Sequence, residues 1–526
     1  MLEFHLNPSC LFLLGLWKGL LKDDFDLASI DFTKIKPPVQ ILLMGSAAQL
    51  TGPKVKTVFV EDLPPEEAAK VAAEPSGLNN LGNTCYLNSV VQCLRAVPVL
   101  RSALELNKNA IPAAGAHNSG SRLFLTTLQD TFHKLDSTTD AVSPATFVMS
   151  TKMAFPQFAQ TGPQGQPQQQ DAEEFYSGLL TVASSELNNP SMIQQAFSKH
   201  GYSLSEADLK NMNIHNLIDA VFGIEMEETY TCDELESMDV TEGADGGMDV
   251  DKEPPVVRHD LHRKLVCNIQ GGSDASAQTN VSHIMEGISL ALNGKVEKRS
   301  EVLGRDAIWT RKQRISRLPP VLAVQFGRFY WKETPDSQDH AGVKCKIMKP
   351  VAFNGILDIY EFCSEKLQKI LKKSRDKAQK EEEDRITKKL KGEDTTEEVK
   401  DTSMEADESM DEELKAALAM SMADGEDNEQ LEIAGPGLPP EFQGKYELFA
   451  VVTHKGRDAD GGHYMGWVKA EHQSGLSKIT DTEEDNEDWF CFDDDEVSPC
   501  KTEDVLKLKG GGDWHMSYMN FYRAKK

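Results

Sequence analysis

Between residues 76 and 94 the chain passes from polar, glycine-rich positions to apolar ones. Gly77-Leu78-Asn79-Asn80-Leu81-Gly82-Asn83-Thr84 reads as a loop, and Val90, Val91 and Leu94 then recur at helical spacing, which predicts a helix opening near Cys85. A second helix is predicted over Ser121 to Leu135, where Leu123, Leu128, Phe132 and Leu135 share a face. A third opens at Gln168-Gln169-Gln170-Asp171-Ala172-Glu173-Glu174-Phe175 and turns Phe175, Leu179, Leu180 and Val182 inward. The pattern then shifts to short strands between Leu217 and Thr310, in AVFGIEMEETYTC, in KLVCNIQGG and around Ala307-Ile308-Trp309-Thr310. Leu318 to Phe329 is an apolar, β-rich run suited to a buried strand. Lys445 to His454, His463 to Val468, Trp489 to Asp495 and Ser517 to Tyr522 complete the strands. Helices first and strands afterwards give an α+β reading.

Several stretches interrupt this pattern. Residues 14–46 hold short apolar runs about a Lys22-Asp23-Asp24 turn and end in Val39-Gln40-Ile41-Leu42-Leu43-Met44, and residues 47–75 read as a linker. An acidic insert covers 233–255. Residues 365–440 carry blocks of Lys and Glu with almost no aromatics, a composition that predicts disorder. Within them, Met410 to Asp424 sets Leu414, Ala417, Leu418 and Ser421 on one helical stripe behind an acidic start.

Charge narrows the partners. With 84 acidic against 56 basic residues the formal charge is −28, which argues against nucleic acid and anionic membranes and favours a basic protein partner. The nine cysteines are scattered and include no Cys-x-x-Cys pair, so neither a disulfide framework nor a structural zinc is expected, and no other metal or cofactor. Cys10 to Leu21 is apolar but lacks a preceding basic segment and contains Lys18. No other stretch approaches the ~20 apolar residues of a membrane span, so an intracellular, soluble protein is expected.

The chemistry starts at Cys85. Unpaired N–H groups and the helix dipole favour the thiolate of a cysteine at a helix N-terminus. Asn80, on the same loop, carries an amide able to donate to an oxyanion beside the sulfur. A thiolate needs a base to move its proton, and that base needs a carboxylate to orient it. Of thirteen histidines, His463 alone follows Gly-Gly between two predicted strands, and Asp493 opens the Asp-Asp-Asp run behind it. Cys93, two helical turns beyond Cys85, reads as core.

The run from Ser76 to Leu94 resembles the cysteine box of the ubiquitin-specific proteases, papain-like deubiquitinases. Gln-Gln-Asp-Ala-x-Glu-Phe, Leu-Pro…Arg-Phe, Gly-Gly-His-Tyr and Phe-Asp-Asp resemble the family's other boxes in the family's order. The resemblance spans about residues 76–524 and implies a thumb, palm and fingers architecture. It assigns Cys85 as nucleophile, His463 as base, Asp493 as its orienting carboxylate and Asn80 as oxyanion donor. Asp171 would grip the backbone of ubiquitin's C-terminal tail, with Gln170, Gly462 and Tyr464 as further substrate-binding positions. Residues 1–46 resemble part of a β-grasp ubiquitin-like domain, and 410–424 a ubiquitin-interacting motif read by Leu414, Ala417 and Ser421. An amphipathic segment docking on its own protein is the other reading of 410–424.

Together with Gly510 to Trp514, these features resemble the proteasome-associated subgroup. That resemblance implies hydrolysis after ubiquitin's terminal glycine on conjugates at the 26S particle, in cytoplasm and nucleus. It also implies low activity when free, with surface loops, KGRDADGG among them, folded over the channel for the tail. A non-catalytic ubiquitin-binding adaptor of the proteasome is the alternative. Some 45 residues are marginal for an independent core, so residues 1–46 are expected to be loosely ordered or packed on the catalytic domain, and to dock weakly.

Overall fold

The computed structural model describes residues 75–109, 120–162, 165–234, 253–269, 280–332, 343–390, 433–457, 461–470, 488–512 and 514–525. The expected ubiquitin-like segment (1–46), all but the end of the linker (47–75) and the interacting motif at Leu414, Ala417 and Ser421 lie outside them.

The first half is helical. Helix α1 (Cys85–Arg95) is buried along its whole length, with α2 (Pro98–Asn109) and α5 (Ala172–Glu186) against it, α3 (Gly120–Ser137) packed on those two, and α4 (Ala145–Ala154) on α3. Tyr86, Phe124, Phe147, Phe155, Phe158 and Phe175 fill the space between them, with ring centroids 5.2–6.3 Å apart, mostly edge to face. On α3, Leu128, Phe132 and Leu135 are buried as expected, but Leu123 at the start of the helix faces solvent. Helices α6 (Pro190–Ser198), α7 (Glu206–Asn211) and α8 (Leu217–Phe222) follow, so the expected strand at AVF is the last helix of this thumb.

Strands β1 (Ile224–Cys232), β2 (Val256–His262) and β3 (Leu265–Cys267) lead through α9 (Ile284–Leu292), which the strand pattern did not predict, into β4 (Asn293–Arg299) and β5 (Asp306–Arg317). An antiparallel sheet in the order β2-β1-β5-β4 forms the fingers. The acidic insert is anchored at its ends: Thr310 donates to Asp233 at 2.6 Å and Glu253 accepts from the Glu301 N–H at 3.2 Å.

The palm is built from β3, β6 (Val321–Phe326), β9 (Ile356–Asp358), β10 (Lys445–Lys455), β11 (His463–Lys469), β12 (Asp488–Asp493), β13 (Glu496–Lys501) and β14 (Met516–Ala524). Its order is β13-β12-β11-β10-β14-β6-β3, with β9 beside β10. Central β10 is buried along nearly all its length. Strands β7 (Phe329–Lys332) and β8 (Val343–Lys346) form a separate hairpin. Helix α1 lies on β11, where a Cβ on Gly466 would stand 3.1 Å from the Ser89 carbonyl, so glycine permits the close crossing.

The insert differs from its sequence expectation as well. Residues 365–390, placed in the disordered insert, form helix α10 (Glu365–Leu390). Lys and Glu are good helix formers, and Leu367 and Leu371 bury the first turns against the palm. Arg375 then clamps the helix, donating to Asp358 at 2.6 Å and to the Gln443 carbonyl at 2.7 Å. Residues 433–440, also placed in that insert, and the residues that follow are packed as well, with Ala434, Leu438 and Phe442 buried. Among the described residues, no helix is long and apolar enough to cross a membrane.

Candidate active site

Three elements meet at Cys85. The loop before α1 is fastened to the turn after β12 by the Leu78 N–H, which donates to the Asp494 carbonyl at 2.7 Å. At Gly77 a Cβ would lie 2.5 Å from the Asp495 carbonyl oxygen, so no side chain fits that crossing. Because α1 also packs on β11, whose first residue is His463, and β11 pairs with β12, whose last is Asp493, the three expected residues converge.

Asp493 Oδ1 stands 2.5 Å from His463 Nε2, which leaves Nδ1 of the ring for Cys85. The imidazole is held protonated up to about 9: hydrogen bonding with Cys85 is the largest cause, burial opposes it, and the bond to Asp493 adds to it. The neighbouring histidines behave oppositely. Burial pushes His515 down to about 4 and His454 down to about 3, so both stay neutral beside a charged His463.

Asn80 is locked rather than free. Its Oδ1 accepts from the N–H groups of Gly82 (3.0 Å) and Thr84 (3.2 Å), and its Nδ2 donates to Asp494 Oδ2 at 2.8 Å. The amide in contact with the sulfur belongs to Gln169, whose Nε2 donates to Cys85 Sγ at 3.4 Å. Cys93 is buried core, as expected.

Asp171 serves first as the cap of α5, accepting from the Glu173 N–H at 2.8 Å. The same oxygen accepts from Tyr518 at 2.7 Å. Burial, with the Asp171 carboxylate alongside, holds that phenol well above its ordinary range, so it remains a donor. From the β7–β8 hairpin, Lys344 brings its ammonium to 3.9 Å from Asp171 Oδ2. Gln170 lies beside Asp171, half-buried. Gly462 has φ +118 and leaves room for His454 and the Lys455 carbonyl, which a Cβ would meet at 2.7 and 2.3 Å. Tyr464 is buried between His454 and Tyr518, so it supports the floor of the site instead of lining it.

Sequence reasoning passed over Asp494. Its backbone adopts φ 54, and its carboxylate accepts from both Asn80 and Asn88 at 2.8 Å, so it fixes the cysteine loop relative to the aspartate turn. The run of three aspartates was a signal that more than one of them had work to do. Gln169 was equally visible in the glutamine run, but nothing local distinguished it from Gln168 and Gln170.

Among the described residues, two clusters gather three His, Asp or Glu ligand atoms within 4.8 Å: Glu228, Asp260 and His262 on the fingers, and His463, Asp493 and Asp494 here. Proton transfer accounts for the second. A thiol, an imidazole aimed at it and a carboxylate orienting the imidazole define a papain-like cysteine hydrolase.

A family model described as ubiquitin carboxyl-terminal hydrolase matches residues 76–522. The chain is 34% identical over 511 residues to "Ubiquitin carboxyl-terminal hydrolase 6" of Arabidopsis thaliana, covering 96% of this chain and 89% of that one. It is 32% identical over 513 residues, with the same two coverages, to "Ubiquitin carboxyl-terminal hydrolase 6" of Schizosaccharomyces pombe. To "Ubiquitin carboxyl-terminal hydrolase 14" of Caenorhabditis elegans it is 27% identical over 502 residues, covering 93% and 82%. The chain belongs to the ubiquitin carboxyl-terminal hydrolase family and is a cysteine-protease deubiquitinase.

His463 gives this chemistry a pH dependence. Its ordinary value is 6.5 and the folded protein holds the proton to about 9, so the stability gained is fully present below about 6.5 and is lost as pH rises through about 9. The imidazolium that protonates the leaving amine is lost over the same window. We expect kcat/KM for a fluorogenic ubiquitin substrate to fall on the alkaline side near pH 9. In Asp493→Asn that limb should move to lower pH, because one support of the charged ring is gone. An alkaline limb unmoved by Asp493→Asn would contradict this assignment.

Proposed function

We propose that this deubiquitinase acts on ubiquitin conjugates held at the 26S proteasome, in cytoplasm and nucleus, and that its free form is restrained. The hydrolysis itself follows from the triad. Cys85 Sγ attacks the carbonyl of ubiquitin's last residue as His463 holds the thiol proton, and His463 returns that proton to the departing amine. Water then cleaves the thioester.

The observation carrying the restrained state is the occupancy of Asp171. Tyr518, the Glu173 N–H and Lys344 already surround the carboxylate assigned to the ubiquitin tail. A tail must displace or rearrange them, and a docking partner that repositions the β7–β8 hairpin would favour that exchange. The proteasome as that partner is supported by the resemblance of residues 1–46 and Gly510 to Trp514 to the proteasome-associated subgroup. The similarity to the Arabidopsis protein covers 96% of this chain, so it extends beyond residues 76–522 into the N-terminal segment. The segment at 410–424 would tether ubiquitin chains and raise their local concentration. The adaptor alternative leaves an assembled triad without use.

Titration with purified 26S proteasomes tests this reading. Turnover of a fluorogenic ubiquitin substrate should rise by about tenfold or more, equivalent to ~1.4 kcal/mol of barrier. Co-sedimentation in parallel should weaken on deleting residues 1–46. Turnover that does not respond to proteasomes at any concentration would overturn the proposal.

A further inference from the structure

We propose that Gln169 completes the oxyanion hole of this enzyme, its side-chain N–H passing from Cys85 Sγ in the resting state to the substrate carbonyl oxygen in the tetrahedral intermediate. The inference rests on the hydrolysis described above and adds a residue to it.

The geometry points to Gln169 by three observations. Its Nε2 is 3.4 Å from the attacking sulfur. The oxygen that becomes negative is bonded to the carbon that this sulfur attacks, so a donor touching the sulfur needs only a small side-chain rotation to meet it. Asn80 has one of its two N–H bonds directed at Asp494, and its Oδ1 is fixed by Gly82 and Thr84, which prevents the amide from turning. Cys85 opens α1, so its own N–H precedes the helical ladder and supplies a backbone partner for the same oxygen.

The loop holding Gln169 is not independent of the cysteine loop. Asn83 Nδ2 donates to the Pro167 carbonyl at 2.9 Å, and a Cβ on Gly82 would sit 3.4 Å from the Pro167 ring. The Gln168 N–H donates to the Gln160 carbonyl at 3.2 Å, and Asp171 caps α5 two residues later. The amide is therefore held at the sulfur from both sides of its own backbone.

The step conserves atoms and charge without Gln169 changing protonation. A sulfur lone pair forms the S–C bond, the carbonyl π pair moves onto oxygen, and the Gln169 N–H bonds that oxygen. Collapse restores C=O and breaks the C–N bond, with the proton for the leaving amine coming from His463.

The test uses the full chain, with Gln169→Ala and with Gln169→Glu, which keeps the side chain's size but accepts where the amide donates. Two reactions are compared: turnover of ubiquitin-aminomethylcoumarin, which passes through an oxyanion, and alkylation of Cys85 by iodoacetamide, which does not. Both variants should lose about 10²-fold or more in kcat. In Gln169→Ala, KM and the alkylation rate should each stay within about threefold of the parent, whereas Gln169→Glu, whose carboxylate would face the sulfur, is read on turnover alone. Parental turnover that Cys85→Ser lacks establishes hydrolysis separately. With that in place, a Gln169→Glu variant turning over at the parental rate overturns the oxyanion role alone. Parallel losses in turnover and alkylation in Gln169→Ala overturn it too, since they would make Gln169 a positioner of the thiol.

Discussion

Exchange of Cys85 for Ser is expected to lower turnover of ubiquitin conjugates by on the order of 10⁴-fold or more while leaving ubiquitin binding unchanged. The substitution exchanges one atom at a buried position on α1 and disturbs none of the packing around Tyr86 and Phe175. What it removes is chemical: an alcohol is a far poorer anion than a thiol, and a positioned imidazolium does not compensate for that difference. Fluorogenic turnover together with a ubiquitin pull-down checks both halves. Substantial residual turnover would remove Cys85 from the mechanism.

The second large effect is structural. Arg328 is fully buried, with its guanidinium spread over four backbone carbonyls: Ser517 at 2.6 Å, Lys349 at 3.0 Å, and Ile347 and Lys509 at 3.2 Å. Burial lowers its pKa to about 10, which measures how costly the charge is there and how fully those carbonyls must compensate it. Replacing Arg328 by Met removes a charged donor from all four, leaving the Lys509 carbonyl with the Val351 N–H at 2.9 Å, and releases β14, the exit of the β7–β8 hairpin and the loop through Gly510 from one another. A loss of about 3–5 kcal/mol is expected, seen as a melting transition lowered by several degrees. Arg328→Lys should not rescue it, since an ammonium has three donors and no planar fork. A Met variant that melts with the parent would show that the carbonyls find other partners.

These two residues also mark what the sequence could and could not reveal. Cys85, His463 and Asp493 were legible because each sits in a local pattern of glycines, aromatics or acids that constrains its chemistry. Arg328 read only as the end of an apolar run, since its four acceptors come from chain segments up to 189 residues away. Asp494 and Gln169 share that difficulty: their partners, Asn80 and Cys85, are 414 and 84 residues distant. Composition misled at α10, where Lys and Glu suggested disorder although Leu367 and Leu371 supplied enough buried surface to start the helix. At Leu123 periodicity named an inward face that the packing of α3 leaves in solvent.

Cys85 Sγ is the atom that takes ubiquitin's C-terminus. Ubiquitin carrying a terminal alkyne in place of its last carboxylate reacts with a cysteine only when that cysteine is activated at the end of the tail channel. Peptide mapping after incubation with the full chain, alone and with proteasomes, should find one ubiquitin per chain on the peptide containing Cys85, and none in Cys85→Ser. An adduct on a half-exposed cysteine such as Cys345 or Cys500, or no adduct under either condition, would contradict it.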